Sequence, residues 1–244
     1  MTISADKLKD FFLYYDKGNG NHEAAVELLH EDLTTSASWL LADESDWIMK
    51  YREKPKESEA LLANPLGVPY DCQLDNPGTE GWRECFSSSC AMVAMYWGVI
   101  DHQDEYHKVR PRFGDSTEPT AQIRTLNHFG LNAEFKMMGS KEKLKAQIDR
   151  GRPAPVGFLH HGSPQYPTGG GHYVVAIGYD DSAEGGAGAF IFNDPYGRCN
   201  VAGNGGYPQT GGTHGKGIHY SYKHWVPRWS VANDNDGWGM DIWK

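Results

Sequence analysis

Residues 84–98, ECFSSSCAMVAMYWG, decide how this chain is read. From Cys90 to Ile100 every residue except Tyr96 is apolar or glycine. A helix that is apolar on all sides is buried, not amphipathic, so this run predicts the centre of a core. Its N-terminus falls between Cys85 and Ser88. Unpaired N–H groups at a helix start carry partial positive charge, which favours a thiolate over a thiol. Cys90 lies more than a turn further in, where apolar surroundings disfavour the charged form. Position therefore makes Cys85 the candidate nucleophile. Ser87, Ser88 and Ser89 have no histidine beside them in sequence and are expected to cap the helix.

A nucleophilic cysteine needs a base. Residues 169–181, GGGHYVVAIGYDD, place His172 after three glycines at the start of a strand. Glycines allow close backbone approach, and a strand holds the ring firmly. Residues 190–197, FIFNDPYG, put Asp194 at the end of the next strand, with Pro195 to terminate it. A hairpin would bring Asp194 beside His172. Cysteine, histidine and aspartate then lie on helix, strand and strand, in an order suited to nucleophilic catalysis.

The rest of the chain sets this constellation in a fold. Residues 1–53 read as a small all-α module, with Leu8, Phe11, Phe12 and Tyr15 at helical spacing. Residues 54–64 are charged and proline-bearing and read as a linker. Residues 65–244 form the second domain, opened by an extended segment, 67–76 (GVPYDCQLDN). Helices are predicted over 120–131 and 141–151, each ended by glycine. Strands follow at 155–161, 172–180, 188–195, 218–225 and 237–243. Helices first and strands after, without βαβ alternation, predict an α+β fold. The loop 202–217 (AGNGGYPQTGGTHGKG) has no periodic pattern and reads as a lid or surface excursion.

Composition excludes several classes. The 244 residues carry 32 acidic against 23 basic side chains, a net charge of −9. Nucleic-acid binding relies on cations against phosphate, so no nucleic-acid partner is expected. No apolar run reaches the ~18–20 residues that span a bilayer. The N-terminus mixes lysines and acids among aromatics, unlike a signal peptide, so synthesis in a cytoplasm is expected. Four cysteines without a C-x-x-C pair read as free thiols. His160, His161 and His172 lack the H-E-x-x-H spacing of a zinc site. No metal and no cofactor is expected.

Four motifs carry a family resemblance. VPYDCQLDN, CFSSSCAMVAMYWG, GHYVVAIGYD and FNDPYG follow one another between Val68 and Gly197. Together they resemble papain-like cysteine peptidases of the kind that cleave double-glycine leaders from bacteriocins, and their soluble relatives in phages and cyanobacteria. The resemblance implies a papain-like fold, with a central buried helix packed on an antiparallel sheet or half-barrel. It implies Cys85 as nucleophile, His172 as base, Asp194 as the orienting carboxylate and Gln73 as a donor to the oxyanion. Phe86 stands where the family keeps glycine, which points to an altered oxyanion hole or a narrowed pocket.

The expected activity is cysteine-dependent amide hydrolysis. A helical module ahead of a hydrolase resembles phage endolysins, which implies peptidoglycan as substrate and action on the cell wall after holin-type release. A peptide-processing peptidase and a catalytically inactive binding module are the alternatives. Trp82, Phe86, His161 and Tyr166 are the expected substrate-binding residues, with His160 beside them, and the expected state is a monomer.

Overall fold

The computed structural model describes Asn64–Lys244, apart from Pro77, Thr79 and Glu80. The chain divides between Ala60 and Leu61 into two units. The helical module expected over 1–53, and the expected linker up to residue 63, lie outside the described residues.

The buried run becomes helix α1, Cys85–Tyr96. Its residues from Phe86 to Ala94 are all buried, and Cys90, Ala91, Met92, Val93 and Ala94 have no exposed surface. Helix α2, Gln103–Val109, was not legible in the pattern. Helices α3, Pro119–His128, and α4, Lys141–Asp149, fall where periodicity and glycine stops put them. Between these two lies strand β1, Asn132–Gly139.

After α4 the chain is mostly sheet. Strands β2 (Ala154–Ser163), β3 (Tyr166–Asp180) and β4 (Ala189–Asn193) follow as consecutive hairpins. Short strands β5 (Gly197–Arg198) and β6 (Gln209–Thr210) pair with each other. Strand β7, Ile218–Ser221, leads into helix α5, Tyr222–Trp229. Strand β8, Gly237–Trp243, ends the chain. The main sheet is antiparallel in the order β1-β8-β2-β3-β4-β7, so the last strand inserts between β1 and β2. This is the α+β, papain-like architecture expected from the motifs.

One expected strand is corrected. Residues 218–225 read as β-structure throughout, but the strand stops at Ser221. From Tyr222 the buried residues Tyr222, Trp225 and Trp229 recur at helical spacing, together with Arg228. Trp225 then stacks on Trp229, meets Phe190 edge-on and packs at a tilt against Phe192. Burying two indoles against the sheet outweighs the β-propensity of the aromatics.

Helix α1 packs against β3 and β2. That contact carries the N-terminus of α1 to the strand bearing His172, and so positions the site.

Candidate active site

Cys85 is the first residue of α1 and is half-buried. Glu84, at the N-cap, offers no side-chain cap. The serines do not cap the helix either, because the helix starts ahead of them. All three are buried inside its first turns. Ser87 accepts from Gln122 Nε2 at 3.1 Å, and Ser88 accepts from Asn76 Nδ2 at 2.9 Å.

Phe86 is placed differently from the expectation that it lines the substrate pocket. It is 1% exposed and stacks face to face on Tyr173, centroids 3.8 Å apart and planes 5° apart. The Phe86 side chain is therefore spent on joining α1 to β3. It takes up no room in an open cleft.

His172 sits in β3 opposite Phe158 of β2. Its Nε2 lies 2.8 Å from Asp194 Oδ1. With Nε2 engaged by Asp194, Nδ1 is the ring nitrogen left over, and the Cys85 sulfur lies near enough to act on the charge of the ring. Burial works against a charged imidazole. The Asp194 carboxylate and the Cys85 sulfur outweigh it and hold the His172 pKa up at about 10.

Asp194 has no exposed surface. A buried carboxylate is costly unless its lone pairs are met, and here they are. Oδ1 also accepts the Tyr196 N–H at 3.0 Å. Oδ2 accepts the hydroxyls of Tyr207, at 3.0 Å, and Tyr220, at 3.1 Å. The backbone is held as well: Asp194 N–H donates to Gly215 O at 2.8 Å, and Tyr70 donates to Asp194 O at 3.2 Å. A Cβ on Gly215 would come within 1.8 Å of Asp194 O, so only glycine allows that approach.

Gln73 is fully buried in a 3-10 turn, Gln73–Asp75. Its N–H donates to Pro195 O at 2.8 Å, one residue past Asp194. Its Nε2 donates to Gly81 O at 2.7 Å, four residues before Cys85. The carbonyl partner fixes the amide orientation, since a flipped amide would set oxygen against oxygen. One N–H of the amide is occupied, and among the described residues the second has no partner.

The expected substrate contacts are spread out. Trp82 is 66% and Tyr166 81% exposed, and His161 is exposed. His160 lies closer in, its ring 6.0 Å from that of His172. Burial, with His172 and His161 nearby, pushes its pKa down to about 4, so it stays neutral.

Several residues were not found from sequence. Tyr207 comes from the loop 202–217, which is not a loose excursion. It contains β6, donates from Gly206 N–H to His160 O at 2.8 Å and supplies Gly215 to Asp194. Tyr207 also packs edge-on to His172, centroids 5.1 Å apart. Glu84 forms a buried ion pair with Arg110 at 2.6 Å and lies 3.4 Å from His107. Burial would raise its pKa, but His107 and Arg110 outweigh that and keep it low. Arg228, without exposed surface, donates among the described residues only to backbone carbonyls. Contacts of this kind join distant segments and leave no local pattern.

The sequence model of the Peptidase_C39-like family matches residues 65–222. No curated protein matches the chain. Among solved structures, it is similar to a double-glycine-motif protease from an AMS/PCAT transporter in complex with the leader peptide. Identity is 16% over 73% of this chain and 93% of that one, with a TM-score of 0.43. A C39-like protein from Bacillus anthracis shares 14% identity over 75% and 98% of the two chains, TM-score 0.48. The peptidase domain of Streptococcus ComA, a bifunctional ABC transporter, shares 16% over 68% and 95%, TM-score 0.42.

Proposed function

Since this chain belongs to the Peptidase_C39-like family, we propose that it hydrolyses peptide bonds with Cys85 as nucleophile. The observation that carries the reading is the buried His172–Asp194 pair, 2.8 Å apart, facing a cysteine at a helix N-terminus. The Cys85 thiolate attacks the amide carbonyl and forms a C–S bond. The spare N–H of Gln73 and the backbone N–H of Cys85, unpaired at the helix start, donate to the oxyanion. The His172 imidazolium gives its proton to the departing amine as the C–N bond breaks. Water then attacks the thioester, His172 takes the water's proton, and the thiolate leaves. Asp194 orients the ring and supports its charge throughout. Phe86 is buried in the core while Cys85 keeps part of its surface exposed, which supports an active enzyme over an inactive binding module.

The substrate is a peptide segment. Purified enzyme incubated with casein and unstructured peptides should release new amines. Cross-linked peptidoglycan, the substrate of the endolysin reading, is the second arm of the same assay. Release from peptidoglycan alone would overturn the peptide-processing reading in favour of that one.

The alkaline limb of the rate profile follows from His172. Its proton serves as the general acid, so kcat/KM should hold through neutral pH and fall as pH rises through about 10. The same ionisation bears on stability. The folded-state pKa lies above the ordinary 6.5. The stabilisation is therefore complete below 6.5 and lost as pH climbs through about 10. A rate profile that falls already at pH 7, with the fold intact, would contradict the assignment.

A further inference from the structure

Among the described residues four donors meet the Asp194 carboxylate, and His172 supplies only one of them. His172 Nε2 and the Tyr196 N–H share Oδ1. Two phenol hydroxyls converge on Oδ2, Tyr207 at 3.0 Å and Tyr220 at 3.1 Å. An ionised carboxylate oxygen only accepts, so both hydroxyls donate. Burial and the Asp194 charge hold the pKa of each tyrosine well above its ordinary value, so both keep their protons. The Tyr220 oxygen also accepts the Cys199 N–H at 2.8 Å, which leaves its own proton for Asp194.

The two hydroxyls arrive on separate elements. Tyr220 is carried by β7. Tyr207 follows Gly205 and Gly206 in the 202–217 loop, with φ of +75° and +74°. A Cβ on Gly205 would come within 2.1 Å of His160 O, so only glycine lets the loop lie against β2 there. Asn200 N–H donates to Gly206 O at 2.9 Å and holds the turn. Two unrelated segments thus place the same chemical group on the same oxygen.

Each hydroxyl draws negative charge from the carboxylate, and a carboxylate that shares its charge attracts the imidazole proton less. The other titratable groups around the pair do not act in this way. Cys85 faces His172 from α1. His160 faces it from β2, neutral because its pKa is pushed down to about 4. The Tyr196 ring lies 6.3 Å from that of His172. Burial raises the pKa of Cys199, to about 12, and that of Tyr70, so both are uncharged near Asp194. Among the described residues none of these side chains donates to the carboxylate.

We infer that Tyr207 and Tyr220 are positioning residues that limit how tightly Asp194 holds the His172 proton, which keeps that proton transferable to the departing amine. The inference rests on the peptidase reading of Cys85 and His172. It adds what sets the strength of the acid.

The test is an NMR titration of the His172 ring in the full chain, its signal identified by loss in His172→Gln. Tyr207→Phe and Tyr220→Phe remove one hydroxyl each and keep the ring, and melting curves check the fold. In each variant His172 should bind its proton about three- to tenfold more tightly than in the native protein. Asp194→Asn marks the opposite direction, since it removes the charge that holds the proton. Tyr220 also serves Cys199, so if Tyr220→Phe does not fold, Tyr207→Phe decides alone, and the reverse holds equally. An unmoved titration, or one moved in the direction of Asp194→Asn, would show that the hydroxyls only hold the carboxylate in place and would overturn the inference. The titration needs no substrate, so the two readings fail separately. The expected change without any peptide turnover sinks the peptidase reading, whereas turnover with an unmoved titration sinks only the role of the tyrosines.

Discussion

Cys85→Ala is expected to lower peptide hydrolysis by about 10⁴-fold or more and to leave the fold in place. The residue is the first of α1, half-buried, and alanine is the best helix former at such a position. The thiol's place beside His172 serves the chemistry and not the core. The other cysteines differ. Cys90 has no exposed surface, and burial pushes its thiol up. Burial also raises the Cys199 pKa, to about 12, and that of Cys72. None of these supplies a thiolate at neutral pH. Retained turnover in a folded Cys85→Ala protein would remove the mechanism.

Arg228→Met should destabilise the protein by about 3–5 kcal/mol, read as a lower denaturant midpoint. The guanidinium is buried and surrounded by backbone oxygens. Nε donates to Val201 O at 3.0 Å. Nη1 donates to Leu159 O and His161 O, and Nη2 to Gly162 O and Gly203 O. Methionine fills similar space but leaves these carbonyls without a donor. The effect should reach the site as well, because the bonds tie the end of β2 to the loop that delivers Tyr207 to Asp194. Kinetic loss beyond the loss of folded protein is the expected sign. A midpoint change worth less than about 1 kcal/mol would mean that water replaces the guanidinium at little cost.

Much of the architecture was legible because two patterns allow few alternatives. An eleven-residue run without a polar face can only be a buried element, and it became the centre of the core. The strands of β3 and β4 were marked by β-branched and aromatic runs between glycines. β1 also carried a signal, with Ala133, Phe135 and Met137 alternating with Glu134 and Lys136. The signal is weak because Met137 stays exposed and only one face is covered. α5 was hidden by its aromatics, which read as strand until the sheet offered a surface for Trp225 and Trp229.

The candidate site divides the same way. Cys85 and Asp194 stand out because one begins an element and the other directly follows one, whereas His172, expected to open a strand, lies inside β3, which already starts at Tyr166. Tyr207 and Tyr220 had no such mark. They meet Asp194 only after β4, β7 and the 202–217 loop come together, and a tyrosine in a glycine-rich stretch looks like any surface residue. Phe86 was misplaced for the opposite reason. Its neighbour Cys85 suggested a cleft, while its stacking partner, Tyr173, lies 87 positions away in sequence.

The most direct test is peptide mapping after brief exposure to substoichiometric iodoacetamide at neutral pH, in the native protein and in His172→Gln. Fragment ions within the 84–108 peptide separate Cys85 from Cys90. The account predicts label on Cys85, little on Cys72, Cys90 or Cys199, and a slower reaction at Cys85 once His172 is replaced. Label appearing first on another cysteine, or reaching Cys85 equally fast without the imidazole, would contradict it.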